Sequence, residues 1–519
     1  MINQFVRAEF LRQRQWFFLL LLATVVLFLP IGFTPLWDVD EGAFSEATRE
    51  MLVSGDWGTT YLNGVLRFDK PILIYWLQAL SVRLFGLYAP VVRLPSVLAT
   101  LLWCASVYLY VLRVSTHKQA CWAVFFLLSS VQMAFIGQLA IADALLNALL
   151  STAMLALAYG IRMPGGQLWC VVYAACGLGF LTKGPIALAI PIATMLVYGL
   201  LNRSWSAFRS CLNYQPGWVL GAVLVVPWYA YALWMHGWLF VDGFFLHHNV
   251  NRALSAMETH SGSWFYYVPI ILLGCMPWTP MFCALWRRYS VIVNDPQQCF
   301  LVCWCAVVCV VFSCVATKLP HYIVYGYTPL VVLVAQQYKY GPCVRVIYSA
   351  TAFIMMILLG LPWILPAWLQ QRSTQLAVEI GAMQSVISSS FDALFVFWMV
   401  LGMLLLAVAA WRFRDEDSAW YIVALLLGWV VHWVWIPRVS LILQDPVYQA
   451  AQVAKSQAGL VVMYRVNKPS FSFYRRSITP RRAPHSGETV LTLSRYLSDF
   501  RRTDILYAKA GVALARVWW

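Results

Sequence analysis

The chain has 519 residues, of which 61% are hydrophobic and only 11% are Asp, Glu, Lys or Arg; mean hydropathy is +0.70. Soluble proteins carry roughly 25% charged residues, so a chain this poor in charge cannot cover its own surface in water. Soluble enzymes, secreted disulfide scaffolds and disordered chains are disfavoured, and a polytopic membrane protein remains. The 26 Trp fit a chain with many membrane interfaces, and the net charge of +15 matters less than how its basic residues are distributed.

At the N-terminus, Arg7, Arg12 and Arg14 precede an apolar run over residues 16–33. No small-residue cleavage pattern follows, so this run reads as an uncleaved first membrane helix. The segment after it, about 34–88, forms the first outer loop. Asp38, Asp40 and Glu41 stand together at its start, and residues 41–52 place Phe44, Ala47, Met51 and Leu52 on one helical face. The pair Asp69–Lys70 precedes Pro71 and a second apolar, aromatic stretch over 72–85. Two interfacial helices are predicted here, lying in the membrane surface and presenting carboxylates and a lysine.

Apolar stretches long enough to cross about 30 Å of hydrocarbon recur over 91–112, 119–137, 139–161, 168–182, 185–201, 217–235, 264–286, 299–316, 320–337, 343–369, 391–411 and 418–436. With the first helix this predicts about thirteen spans. Alternate loops then separate by charge. One set is short and basic, holding Arg113, Lys118, Arg162, Arg203, Arg209, Arg287, Arg288, Lys339, Arg345, Arg412 and Arg414, which marks the cytoplasmic face.

The opposite face gathers the unusual polar residues. Asp143 sits in LAIADALLNALL, where an unpaired Asp costs roughly 2.5–3.5 kcal/mol on insertion scales. Lys183 and Lys318 sit in LTKGPIAL and ATKLPHYIVYGYTPL, the latter including His321 and Tyr322. Several costly charges on one side imply a polar cavity there. The segment FFLHHNVNRALS adds His247, His248 and Arg252. Adjacent imidazoles beside a carboxylate suit a divalent metal, zinc above all, and a guanidinium suits phosphate; filler at the interface is the plainer reading of the histidines.

From about residue 438 the composition turns polar. Residues 438–519 hold 13 Lys/Arg against four Asp/Glu, and 460–464 and 489–493 read as short strands. Two units are expected: a transmembrane domain over 1–437 and a small α/β soluble domain over 438–519, on the outer face if the span count is odd. Its basic face suits anionic headgroups, or simply solvates the tail. All 13 Cys lie between Cys104 and Cys343, so no disulfide framework is indicated; Cys299, Cys303, Cys305, Cys309 and Cys314 read as buried thiols rather than a metal site.

The run WDVDEGAFSEATREMLVSGDW…LNG…FDKPILIYWLQAL…RLPSVLA, with ATKLPHYI and HHNVNRA later, resembles the protein-mannosyltransferase-like glycosyltransferases of C-type fold, most closely the bacterial lipid A aminoarabinose transferase branch. The resemblance covers the first loop to about Leu330. It implies an inner-membrane enzyme with its site and C-terminus in the periplasm, moving a sugar such as 4-amino-4-deoxy-L-arabinose from undecaprenyl phosphate to lipid A, with inversion. It further implies catalytic roles for Asp40, Glu41 and Asp143; substrate contacts from Lys70, Arg252, Lys318 and Tyr322; and a divalent metal (zinc, magnesium or manganese) at Asp69, His247 and His248. Relatives usually carry Glu where Asp69 stands, which shortens its reach. Protein O-glycosyl transfer and lipid-linked sugar transport are the competing readings. The one-sided charges and the lack of an evident repeat argue against transport, and nothing points to a nucleic-acid partner.

Overall fold

A computed structural model of the chain describes residues 16–519 apart from 20, 252–254, 256–261, 372–373, 414–415 and 458. The chain is mostly helical. Seven helices among the described residues are long and apolar enough to cross a bilayer. An eighth is reached if Tyr267–Gly274 and Thr279–Arg287, bent by 106° to each other, count as one span. The apolar stretches predicted to cross are mostly helical where described, but several are short or broken. The stretch 119–137 divides into His117–Ser129 and Val131–Ile136, and 320–337 opens as a 3-10 segment, Pro320–Gly326. Among the described residues, length and apolarity thus account for seven or eight of the thirteen expected spans.

Ala142–Gly160 is the central helix, buried along almost its whole length. Its acidic residue Asp143 lies in its first turn, while the adjoining helix Gly166–Lys183 ends on Lys183. Each charge thus complements its own helix dipole, and the two meet on one side of the bundle.

Both predicted helices of the first loop form, as Asp40–Ser54 and Leu73–Phe85. Asp40 and Glu41 occupy the positive N-terminal turn of the first, and Gly55 ends it in the left-handed region at φ +73°. A hairpin joins them: β1 (Tyr61–Leu62) pairs antiparallel with β2 (Val65–Leu66) around Asn63-Gly64, both at positive φ. Asp40–Ser54 is not half-exposed at the interface as its period suggested. Glu41 through Met51 are all buried, because a short helix of the C-terminal unit, Pro469–Arg475, covers its outer side. A Cβ on Gly42 would lie 2.6 Å from the Ser470 backbone nitrogen, so only glycine admits this approach.

The C-terminal unit is α/β, with a four-stranded sheet in the order β3 (Val461–Met463), β4 (Thr489–Leu493), β6 (Val512–Trp518), β5 (Arg502–Lys509). The β3–β4 pair is parallel and the others antiparallel. Val447, Ala451, Phe471, Leu491 and Leu514 form its own core.

Candidate active site

Three anchors fix the N-terminal end of the helix that carries Asp40. Glu41, 1% exposed, accepts from Arg93 Nε and Nη2 at 2.7 and 2.8 Å and from the backbone N–H groups of Trp37 and Ala140 at 2.8 Å each. Asp38 accepts from the Ser470 backbone N–H at 2.9 Å and its hydroxyl at 2.6 Å. The Tyr474 hydroxyl accepts from the Leu36 N–H at 2.7 Å. Burial pushes the Asp38 carboxyl up to about 6, against the opposing pull of Lys468 and Ser470.

Held this way, Asp40 is exposed into a cavity of about 600 Å³ whose wall also includes Trp37, Gln132, Phe135 and His321. His321 connects that cavity to a buried polar cluster. Asp143 Oδ1 accepts from Lys183 Nζ at 2.7 Å and from the Tyr325 hydroxyl at 2.7 Å, with His321 Nε2 at 3.9 Å. Lys183 also lies 5.3 Å from the Tyr322 ring centroid. The intramembrane charges are thus paired, as their insertion cost demands.

A second cluster gathers around Asp69. Asp69 accepts from His248 Nε2 at 2.8 Å and from Arg67 Nη2 at 3.0 Å. Burial works against the charge of Asp69, but His248, Arg67 and Lys70 hold its carboxyl well below the usual range. Arg67, with 9% of its side chain exposed, faces the Tyr75 hydroxyl, lies 5.5 Å from the Phe44 ring centroid and also feels the charge of Asp40. Lys70 donates to the Asp69 carbonyl at 2.9 Å. The histidine loop thus meets Asp69 through His248, and Arg67 bonds Asp69 while feeling the charge of Asp40.

Several expected site residues are engaged within the protein. Glu41, expected in the chemistry, has both oxygens committed to Arg93 and backbone amides, so it braces the loop. Lys318, expected on substrate, is 6% exposed and donates to the carbonyls of Ser313 and Val315 at 2.8 and 2.9 Å, closing the end of helix Pro296–Cys314. Tyr322 is 8% exposed and packs against Phe312 and His321. The metal trio does not assemble: His247 stacks edge-on to His248 at 4.8 Å, and no group of three or more His, Cys, Asp or Glu able to hold an ion gathers among the described residues. With Asp69 engaged by Arg67 and His248, the donors present do not fit a divalent metal. Arg252 lies outside the described residues. Arg67, Arg93 and Tyr325 received no role from the sequence; an arginine in a polar loop reads as solvated until its burial is seen.

The fold and this cavity define a polytopic helical membrane protein with an acidic residue exposed on one side of the bundle. Known proteins share these features. The family model for dolichyl-phosphate-mannose-protein mannosyltransferases matches residues 69–231. The undecaprenyl phosphate-alpha-4-amino-4-deoxy-L-arabinose arabinosyl transferase of Edwardsiella ictaluri is 32% identical over 329 residues, 62% of this chain and 58% of that protein. Its counterpart in Pseudomonas aeruginosa strain UCBPP-PA14 is 29% identical over 80% of this chain and 76% of its own length. The match thus spans less than two thirds of the Edwardsiella relative. In fold, the chain matches the crystal structure of ArnT from Cupriavidus metallidurans bound to undecaprenyl phosphate, with a TM-score of 0.78 and 21% identity, over 96% of this chain and 97% of that one. The resemblance read from the first loop is borne out.

Proposed function

We propose that this chain is an integral membrane glycosyltransferase that moves 4-amino-4-deoxy-L-arabinose, or a close analogue, from undecaprenyl phosphate to lipid A by inverting displacement. The observation that carries this is Asp40, an exposed carboxylate at a cavity, on a helix end held by its neighbours Leu36, Asp38 and Glu41, whose charge is felt by the buried Arg67. The leaving group is a phosphate monoester whose charge grows as the bond to the anomeric carbon breaks. Lys70, with Arg252, stabilises that charge electrostatically. A lipid A phosphate acceptor is already anionic and needs no base; Asp40 then binds the sugar's ammonium group and orients the anomeric carbon toward the acceptor. Asp143, tied to Lys183 and Tyr325, shapes the wall through His321. Glu41, Lys318 and Tyr322 act by support.

An isoprenoid tail needs an apolar berth. A cleft of about 390 Å³ between Gly166–Lys183, Ile186–Asn202 and Gln215–His236 is walled by apolar and aromatic side chains and reaches Phe180, one turn from Lys183. This supports a lipid carrier over a soluble nucleotide sugar. A divalent metal would require Asp69 to release Arg67, and no step is assigned to it. We read the chain as thirteen spans in a bacterial inner membrane, with the N-terminus cytoplasmic and the site and the 438–519 unit periplasmic, from the one-sided basic loops.

The match to protein mannosyltransferases over 69–231 favours one second reading, a protein acceptor. Supplying purified enzyme with radiolabelled lipid-linked donor, lipid A and candidate protein acceptors tests both. Label in lipid A supports the first reading and label on protein the second; label in neither, with functional membrane insertion shown, refutes glycosyl transfer.

A further inference from the structure

A second cleft, of about 550 Å³, lies where the membrane domain meets the C-terminal unit. Its walls come from the end of the first apolar run, from the start of helix Ala89–Val114, and from the helices Asp445–Lys455 and Pro469–Arg475 with Arg476 after them. Neither Asp40 nor any residue of the Asp143 cluster lines it.

The cleft offers unused hydrogen-bond donors and little negative charge. Its one carboxylate, Asp445, already accepts from Gln449 at 2.6 Å and Lys509 at 3.2 Å. The Lys455 ammonium touches the neutral Gln452 amide oxygen at 2.7 Å. The Tyr448 ring packs edge-on against Tyr474 at 4.8 Å, and its hydroxyl, like the exposed Arg476 guanidinium, makes no hydrogen bond among the described residues. Arg476 is also held at φ +61°, just past a helix C-terminus where glycine is the unstrained choice. An arginine kept there in spite of that strain points to use of its side chain.

The mouth of the cleft is aromatic. Phe33 and Tyr88, 53% and 57% exposed, both line it. They stand at the ends of membrane-crossing segments, the level at which aromatic rings sit among headgroups.

We propose that this cleft holds the headgroup of an anionic phospholipid from the leaflet on the first-loop side. Its phosphate lies between Arg476, Lys455 and the Tyr448 hydroxyl, and its acyl chains run past Phe33 and Tyr88 into the bilayer. A guanidinium fork matches two phosphate oxygens. A zwitterionic headgroup would bring its own ammonium against two cations, so the site selects against it. The bound lipid fastens the C-terminal unit, and with it the Ser470–Asp38 contact, to the membrane surface.

The test uses the full chain in nanodiscs of equal phosphatidylglycerol and phosphatidylcholine, with retained lipid counted by native mass spectrometry after transfer to detergent. Wild type retains phosphatidylglycerol over phosphatidylcholine by roughly fivefold, the effect of about one surface cation. Lys455→Gln with Arg476→Gln loses the preference and Arg476→Lys keeps most of it. Tyr448→Phe, which preserves the ring contact, lowers retention should the double variant fail to fold. Equal retention of both lipids by wild type, or a preference unchanged in these variants, overturns the proposal. So does inorganic phosphate displacing the lipid at matched concentration, which would make the occupant a soluble anion.

Discussion

Asp40 and Glu41 are neighbours in one helical turn, yet Glu41 has four donors on its two oxygens while Asp40 faces an open cavity. Their isosteric amides should therefore fail differently. Asp40→Asn is expected to lower sugar transfer by about 10²-fold or more while the protein is recovered folded and in normal yield. Glu41→Gln strands the buried Arg93 charge and is expected to cost about 3–5 kcal/mol of stability, read as a drop in thermal midpoint. Asp38 gives a pH signature. Its folded value of about 6 lies above the ordinary 3.8, so on acidification the folded chain takes up this proton before the unfolded chain does. This site therefore adds stability as pH falls through that window. Asp38→Asn removes the contribution, so the midpoint difference should move in favour of wild type on going from pH 7 to pH 4.5. Asp143 and Lys183 could be singled out from sequence because an unpaired charge in an apolar helix is too costly to leave unexplained. Arg67 could not, since its role depends on Asp69, Tyr75 and Asp40 meeting around it.

At the scale of elements, the helix Asp40–Ser54 shows what periodicity can and cannot foretell. Its span was readable from Phe44, Ala47, Met51 and Leu52, while its end at Gly55 was not. Nor was its burial on the outer side, because the covering helix Pro469–Arg475 lies more than 400 residues downstream, and no local pattern encodes that contact. Gly42 marks the contact point. Gly42→Ala would drive a methyl group into Asp38 and the Ser470 backbone, and is expected to raise hydrogen exchange in both 40–54 and 469–475. Unchanged protection in the two segments would show that the docking tolerates the methyl. The histidine segment is a similar case. It forms a π-helix, Val241–Asn251, a geometry that often marks functional sites. Its two imidazoles touch edge-on, yet only one reaches Asp69 while the other stays exposed.

For the molecule as a whole, hydropathy located the apolar stretches, and the charge asymmetry of the loops assigned their sides. Broken helices such as Tyr267–Gly274 with Thr279–Arg287 blur the span count, because a bend lets one apolar stretch turn within the bilayer. The orientation can be checked in intact cells with a cysteine-depleted background and a membrane-impermeant maleimide. Ser54→Cys and Ser477→Cys, both exposed, should label before lysis, and Met163→Cys, in the basic-loop set, only after it. The reverse pattern would invert the topology and place Asp40 on the cytoplasmic side. Transfer of a lipid-carried sugar at the Asp40 cavity is the central proposal. Mass spectrometry of lipid A from a deletion strain complemented with wild type, Asp40→Asn or Lys70→Ala tests it most directly. The aminosugar adduct should appear with wild type and disappear with either variant at equal membrane levels; an adduct that persists with both, or never appears with wild type, would contradict it.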